Sequence, residues 1–223
     1  MDTLYNRVLY SIVMASTALL ALELGSFGKF AVLSVVFVVA LLEWTKLCTL
    51  FFHNQSVLLQ FDSEHRLTDN PIDFVCLQVY PTGLFCLGLF AWSLQGLTKV
   101  HCYQLFAVVW LTDIGAYAFG KLLQGPKLNI AISPNKTWTG LLGGLLCGPF
   151  AGLFFGLPLS MGLLLSCLAQ AGDLLESKLK RWSDQKDSNV SNFYIPGHGG
   201  ILDRIDGLVL SAPILYFFQK MYP

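Results

Sequence analysis

Long apolar runs separated by short polar stretches cover almost the whole chain. About 20 mostly apolar residues suffice to carry a helix across the hydrocarbon core of a bilayer. The pattern predicts seven such spans. Four occupy residues 8–27, 30–52, 72–94 and 100–123. The run 138–171 is too long for one crossing and divides at Gly156 and Pro158, giving the fifth and sixth, and residues 201–216 form the seventh. Arg7 before an apolar run resembles a signal peptide, but no small-residue cleavage site follows, so residues 8–27 are read as a retained span. The polar stretch 53–71 reads as a loop on the cytoplasmic side, with a short interfacial helix as an option. The expected fold class is therefore all-α, a polytopic integral membrane protein of about seven transmembrane helices. Residues 1–100 hold three spans, and residues 101–223 hold four, with cytoplasmic loops that carry chemistry.

Composition agrees with the pattern. The 223 residues are 54% hydrophobic and 13% charged, where a soluble domain carries about 25% charged residues. Net charge is zero and points to no partner, nucleic acid included. Cys48, Cys76, Cys86, Cys102, Cys147 and Cys167 lie in or beside apolar runs without metal-binding spacing, and read as reduced thiols. Seven spans would put Arg7, Lys46, Arg66, Lys121, Lys127, Lys136, Lys178, Lys180, Arg181 and Lys186 on one side, and Lys29, Lys99 and Lys220 on the other. Lys and Arg favour the cytoplasmic side. This places the N-terminus inside the cell membrane and the C-terminus outside.

Ionisable residues within spans are costly unless they face a polar interior. Glu23 falls at a span end, and Glu43 has Lys46 one turn later as a candidate partner. Asp113 sits mid-span with no cation within a turn, so its partner must come from another helix, a metal or water. Asp173, Glu176, Ser177 and Lys180 follow at offsets of three, four and seven, which share one helical face. Asp203 and Asp206 open the last span directly after Pro196, Gly197, His198, Gly199 and Gly200. A Gly-rich turn feeding a helix N-terminus suits phosphate, and His198 is either a phosphate contact or a turn residue. Ser133 and Lys136 are candidate phosphate ligands beside a Ser-Pro-Asn turn. Gly140, Gly143 and Gly144 suit close helix packing. Clustered carboxylates with neighbouring cations, and neither thiols nor histidine clusters, favour Mg²⁺ and a polyphosphate. At a membrane surface, that combination suggests phosphoryl or nucleotidyl transfer onto a lipid.

These residues resemble the phosphatidate cytidylyltransferase (CDP-diacylglycerol synthase) family. Its signature appears as Ser177, Lys180 and Arg181; Lys186, Asp187 and Ser188; Pro196 through Gly200; and Asp203, Arg204 and Asp206. Upstream, Ser133, Pro134, Lys136, Thr137 and Gly140, then Gly172, Asp173, Glu176 and Ser177, also match, as do Trp110, Asp113, Ala116, Tyr117 and Gly120. Residues 1–100 match only as apolar spans. One departure is a stretch of six residues, 189–194, where the family has three.

The resemblance implies that CMP passes from CTP to phosphatidic acid, giving CDP-diacylglycerol and pyrophosphate. It implies Mg²⁺, with a monovalent cation such as K⁺ at a second site. Asp173 and Asp203 are expected as main metal ligands, followed by Asp187, Asp206 and Asp113. Lys180, Lys186 and Arg204 join Asp173 and Asp203 as catalytic groups. Substrate phosphates are expected at Ser133, Lys136, Thr137, Ser177, Arg181, Ser188, Gly197, His198, Gly199 and Gly200. A homodimer in the lipid bilayer is the expected state. The competing readings are a cytidylyltransferase for another lipid phosphate and an ion-coupled transporter, whose acids would lie at the membrane midplane within an inverted repeat.

Overall fold

The computed structural model describes residues 2–61, 71–129, 133–183 and 200–222. Seven helices are found among them: α1 (Asp2–Glu23), α2 (Gly25–Phe61), α3 (Pro71–Gly96), α4 (Lys99–Leu123), α5 (Trp138–Phe154), α6 (Leu159–Trp182) and α7 (Leu202–Met221). Within the described residues, Gly25–Phe52, Lys99–Leu123 and Leu159–Trp182 are long and apolar enough to cross a membrane. Many large apolar side chains point outward, among them Phe27, Ile114, Phe150 and Phe154. Such a surface suits hydrocarbon rather than water.

The breaks follow local chemistry. Gly156 has φ +84°, a conformation that favours glycine, and Pro158 then precedes α6. The split in the long apolar run falls where it was expected. The first joint differs from the sequence reading. Gly25, at φ +74°, ends α1 earlier than residue 27. The expected loop from residue 53 also differs, because α2 continues to Phe61. No Gly or Pro lies between residues 53 and 61 to stop it.

The third difference is a small sheet between α4 and α5. Strands β1 (Lys127–Asn129) and β2 (Ser133–Thr137) pair antiparallel, with Lys127 opposite Thr137 and Asn129 opposite Ser133. Ser133, Pro134 and Asn135 were expected to form a turn and are strand instead. A two-stranded ribbon tolerates Pro134 because its residues are edge positions. Thr137 then caps α5, its Oγ1 accepting from Gly140 N at 3.1 Å.

Small residues let α4 and α5 pack backbone to backbone. A Cβ on Gly140 would lie 2.7 Å from Ala116 O, and one on Gly144 would lie 2.9 Å from Thr112 O. Phe90, Leu105, Val108, Leu165 and Leu215 fill the core between the helices. Buried polar groups are tied across it: Thr112 Oγ1 donates to Ser166 Oγ at 3.0 Å, and Ser211 Oγ to Leu165 O at 3.2 Å. At one end of the bundle, Lys29 Nζ donates to Leu97 O at 2.8 Å and Lys99 pairs with Glu23 at 2.5 Å. The acids considered below lie elsewhere.

Candidate active site

The site forms along the seam between α6 and α7. Gly172 sets the spacing, because a Cβ there would collide with the Asp206 carbonyl oxygen. Two helix backbones therefore meet where both carry acids. From α6, Asp173, Glu176 and Lys180 project from one face, as their spacing predicts.

Lys180 lies 2.6 Å from Asp203 Oδ1 and 3.3 Å from Glu176 Oε2. Only 14% of its side chain is exposed, so water screens these pairs little. Asp203 Oδ2 accepts from Gly200 N at 2.9 Å, which fixes the end of the Gly-rich segment against α7. Glu176 is 8% exposed, and among the described residues no donor reaches its Oε1. The Glu176 carboxylate interacts with both Asp203 and Asp206. Asp206 Oδ1 accepts from Gly207 N at 2.7 Å and lies within the fields of Asp173 and Asp113.

The β1–β2 hairpin contributes Lys136, whose Nζ is 2.6 Å from Asp173 Oδ2. Asp113, on α4, interacts with both of these charges. Asp113, Asp173, Asp203 and Asp206, drawn from three helices, thus share one charged region with Lys136 and Lys180. Ser177 is half-buried on α6, and Ser133 is half-buried at the start of β2. Thr137 is buried in its capping role, while Arg181 and Arg204 are exposed at the helix ends. Gly200 is buried. Lys186, Asp187, Ser188, Gly197, His198 and Gly199 lie outside the described residues, as does the stretch 189–194.

The donor set is carboxylate oxygen throughout, which suits a hard cation such as Mg²⁺. Among the described residues, no group of three or more His, Cys, Asp or Glu is drawn together tightly enough to hold a metal. Mg²⁺ does not require such a cage, since it is usually held by one or two carboxylates, substrate phosphates and water. The undonated Glu176 Oε1 and the mutually repelling acids fit that mode of binding.

An apolar cavity of about 410 Å³ opens beside the acids, between α2, α3, α6 and α7. Trp44, Leu47, Val79, Leu87 and Leu175 line it, and it reaches Glu176 and Asp206. Lys178, also on the lining, lies over the Trp182 ring at 4.7 Å from its centroid.

Two acids matter more than the sequence reading allowed. Glu176 was seen as part of a charged face but not as a site residue. Its i, i+4 relation to Lys180 was the available signal. Glu43 was expected to pair with Lys46. The structure corrects this, because its carboxylate instead accepts from Ile201 N at 3.0 Å and Leu202 N at 2.9 Å. Its mid-span position was the signal, and the nearby lysine disguised it.

Known proteins are similar to this chain. The profile of the cytidylyltransferase family matches residues 56–222. The phosphatidate cytidylyltransferase of Brucella suis is 36% identical over an alignment covering all of this chain and 95% of the relative. The phosphatidate cytidylyltransferase of Brucella abortus shows the same identity and coverage. That of Staphylococcus haemolyticus is 40% identical over 69% of this chain and 61% of its own length. With the family profile matching residues 56–222 and the Brucella relatives aligned over the whole chain, the chain belongs to the cytidylyltransferase family.

Proposed function

We propose that this protein transfers CMP from CTP to phosphatidic acid, forming CDP-diacylglycerol and releasing pyrophosphate. One observation carries the lipid part of this reading: the apolar cavity ends at Glu176 and Asp206, within the region that holds Lys180 and Asp203. A ligand with acyl chains and a phosphate head has a place for each part.

In this reaction a phosphate oxygen of the lipid attacks the α-phosphorus of CTP. A new P–O bond forms as the α–β phosphoanhydride bond breaks, and both electrons leave with pyrophosphate. The nucleophile is already an anion, so the main obstacle is charge repulsion between substrates. Lys136 and Lys180 reduce it, with Arg204 at the rim. Before substrate arrives, Asp173 and Asp203 hold the two lysines in place. Preorganised charges of this kind lower a barrier without reorganising during the reaction. Asp173 and Asp203, helped by Asp206 and Asp113, would hold Mg²⁺. The bound ion would supply charge neutralisation across the phosphates. Gly172 keeps the two acid-bearing helices at contact distance.

The same reading takes the chain as a seven-span protein of the cell membrane, N-terminus and acids facing the cytoplasm, acting as a homodimer. A monovalent cation such as K⁺ at a second site belongs to it as well.

The test uses protein purified in detergent, CTP labelled at the α-phosphate, phosphatidic acid and Mg²⁺. Label entering the lipid phase, lost with EDTA and lost in Asp203→Asn, supports the proposal. No labelled lipid from the wild-type protein across several divalent cations would overturn it.

A further inference from the structure

Helix α7 begins without a cap of its own. Its first N–H groups have no acceptors within the helix, and Ile201, at the N-cap position, provides no side-chain bond. The acceptors come from Glu43, 158 residues earlier, in the middle of the apolar α2. Glu43 Oε1 accepts from Ile201 N at 3.0 Å, and Oε2 accepts from Leu202 N at 2.9 Å. The carboxylate is 1% exposed. Among the described residues no lysine or arginine pairs with it. Its negative charge is balanced by the positive end of α7 and the two N–H groups.

A core that needed only packing would use an apolar residue here, since an unpaired buried carboxylate is costly. What the carboxylate does is fix one short segment. Gly200, Ile201 and Leu202 form the joint between the Gly-rich sequence and the helix bearing Asp203 and Asp206. Asp203 holds Gly200 N from one side, and Glu43 holds the next two N–H groups from the other. Trp44, the next residue on α2, lines the apolar cavity and donates through Nε1 to Tyr80 O at 3.2 Å. The same turn of α2 therefore meets both the acid helix and the cavity.

We infer that Glu43 is a positioning residue for the transfer reaction, clamping the N-terminus of α7 so that Asp203 and Asp206 face the phosphates. It does not touch the reacting atoms itself. This inference rests on the proposed transferase reading for its kinetic consequence, but its geometric content stands independently.

Two measurements test it in Glu43→Gln, with Lys46→Gln as a control. The first is amide hydrogen exchange of the detergent-solubilised full chain, followed by mass spectrometry of peptides covering 200–206. Gln offers one acceptor oxygen and an NH₂ group facing an N–H, so one bond is lost and a donor–donor contact appears. Exchange should quicken in this peptide while peptides from α4 and α5 stay protected. The second is kinetics. E43Q should lose about tenfold or more in kcat, in keeping with one lost charge-assisted bond. It should also need more Mg²⁺ for half-maximal rate, while KM for CTP changes little. K46Q should match wild type in both measurements. If E43Q does not fold, Glu43→Asp carries the same tests, since it keeps the charge but shortens the reach. Wild-type exchange at 200–206 in a folded variant would overturn the clamp. Faster exchange with wild-type kcat and Mg²⁺ dependence would overturn the positioning role. A wild-type protein with no transfer activity would refute the transferase reading, and exchange would still decide whether the clamp exists.

Discussion

Replacing Lys180 with Met isolates the electrostatic core of the site. Its Nζ bridges Asp203 Oδ1 at 2.6 Å and Glu176 Oε2 at 3.3 Å with only 14% of the side chain exposed. Met fills similar volume but leaves both carboxylates without their shared cation, beside Asp206. Removing one partner of a buried ion pair costs about 3–5 kcal/mol. At about 2–4 °C per kcal/mol for a chain of this size, the melting temperature should fall by about 6–20 °C. Intrinsic fluorescence follows the transition, since the chain has five tryptophans. The double variant Lys180→Met/Glu176→Gln removes one charge of each sign and should recover much of the loss. The two changes should be non-additive by about 0.5–3 kcal/mol. Transfer activity should stay low in both variants, because the lysine is absent from the phosphates in each. A single variant within about 0.5 kcal/mol of wild type, or strict additivity, would refute the idea that Lys180 neutralises this cluster.

Gly172→Ala should cost about 1–3 kcal/mol through overpacking against the Asp206 carbonyl, and should lower transfer more than the milder Gly207→Ala, whose new Cβ would sit 3.2 Å from Val109. Thermal unfolding and labelled-CTP assays on the pair check this. Cys86→Trp, filling the apolar cavity from α3, should raise KM for a long-chain phosphatidic acid by about tenfold and leave KM for CTP unchanged, as steady-state kinetics would show.

Much of this organisation is legible from the chain, and the failures have physical causes. The apolar runs located all seven helices because burial in lipid or core demands continuous hydrophobicity. Gly156 and Pro158 marked a joint because each disfavours a continuing helix. The α6 face of Asp173, Glu176 and Lys180 was readable because helical periodicity is local. The β1–β2 hairpin was not, since its strands are short and Pro134 signals a turn. The continuation of α2 through residues 53–61 was not foreseen, because polar composition there suggested a loop with at most a separate interfacial helix and outweighed the lack of any breaker. Glu43 was misassigned for a deeper reason. Sequence spacing reveals side-chain neighbours on the same helix, whereas its true partners are backbone N–H groups 158 and 159 residues away. Lys136 shows the same limitation: its loop position suggested phosphate, and the fold gives it Asp173 as a resting partner.

The length of α2 also works as a depth gauge. Its 37 residues rise about 55 Å at 1.5 Å each, well beyond a hydrocarbon core about 30 Å thick. Counted from Gly25, Glu43 stands about 27 Å along the axis, and Glu176 stands about 26 Å along α6 from Leu159. Under the proposed seven-span topology the two helices start from the same side, and the charged seam would lie at one level, near the far boundary of the acyl region. A lipid phosphate would then reside at that level without leaving its own leaflet, and a nucleotide would reach it from water without entering hydrocarbon. The reaction would then occur at the plane where its two substrates already meet, with neither hauled through the medium that repels it.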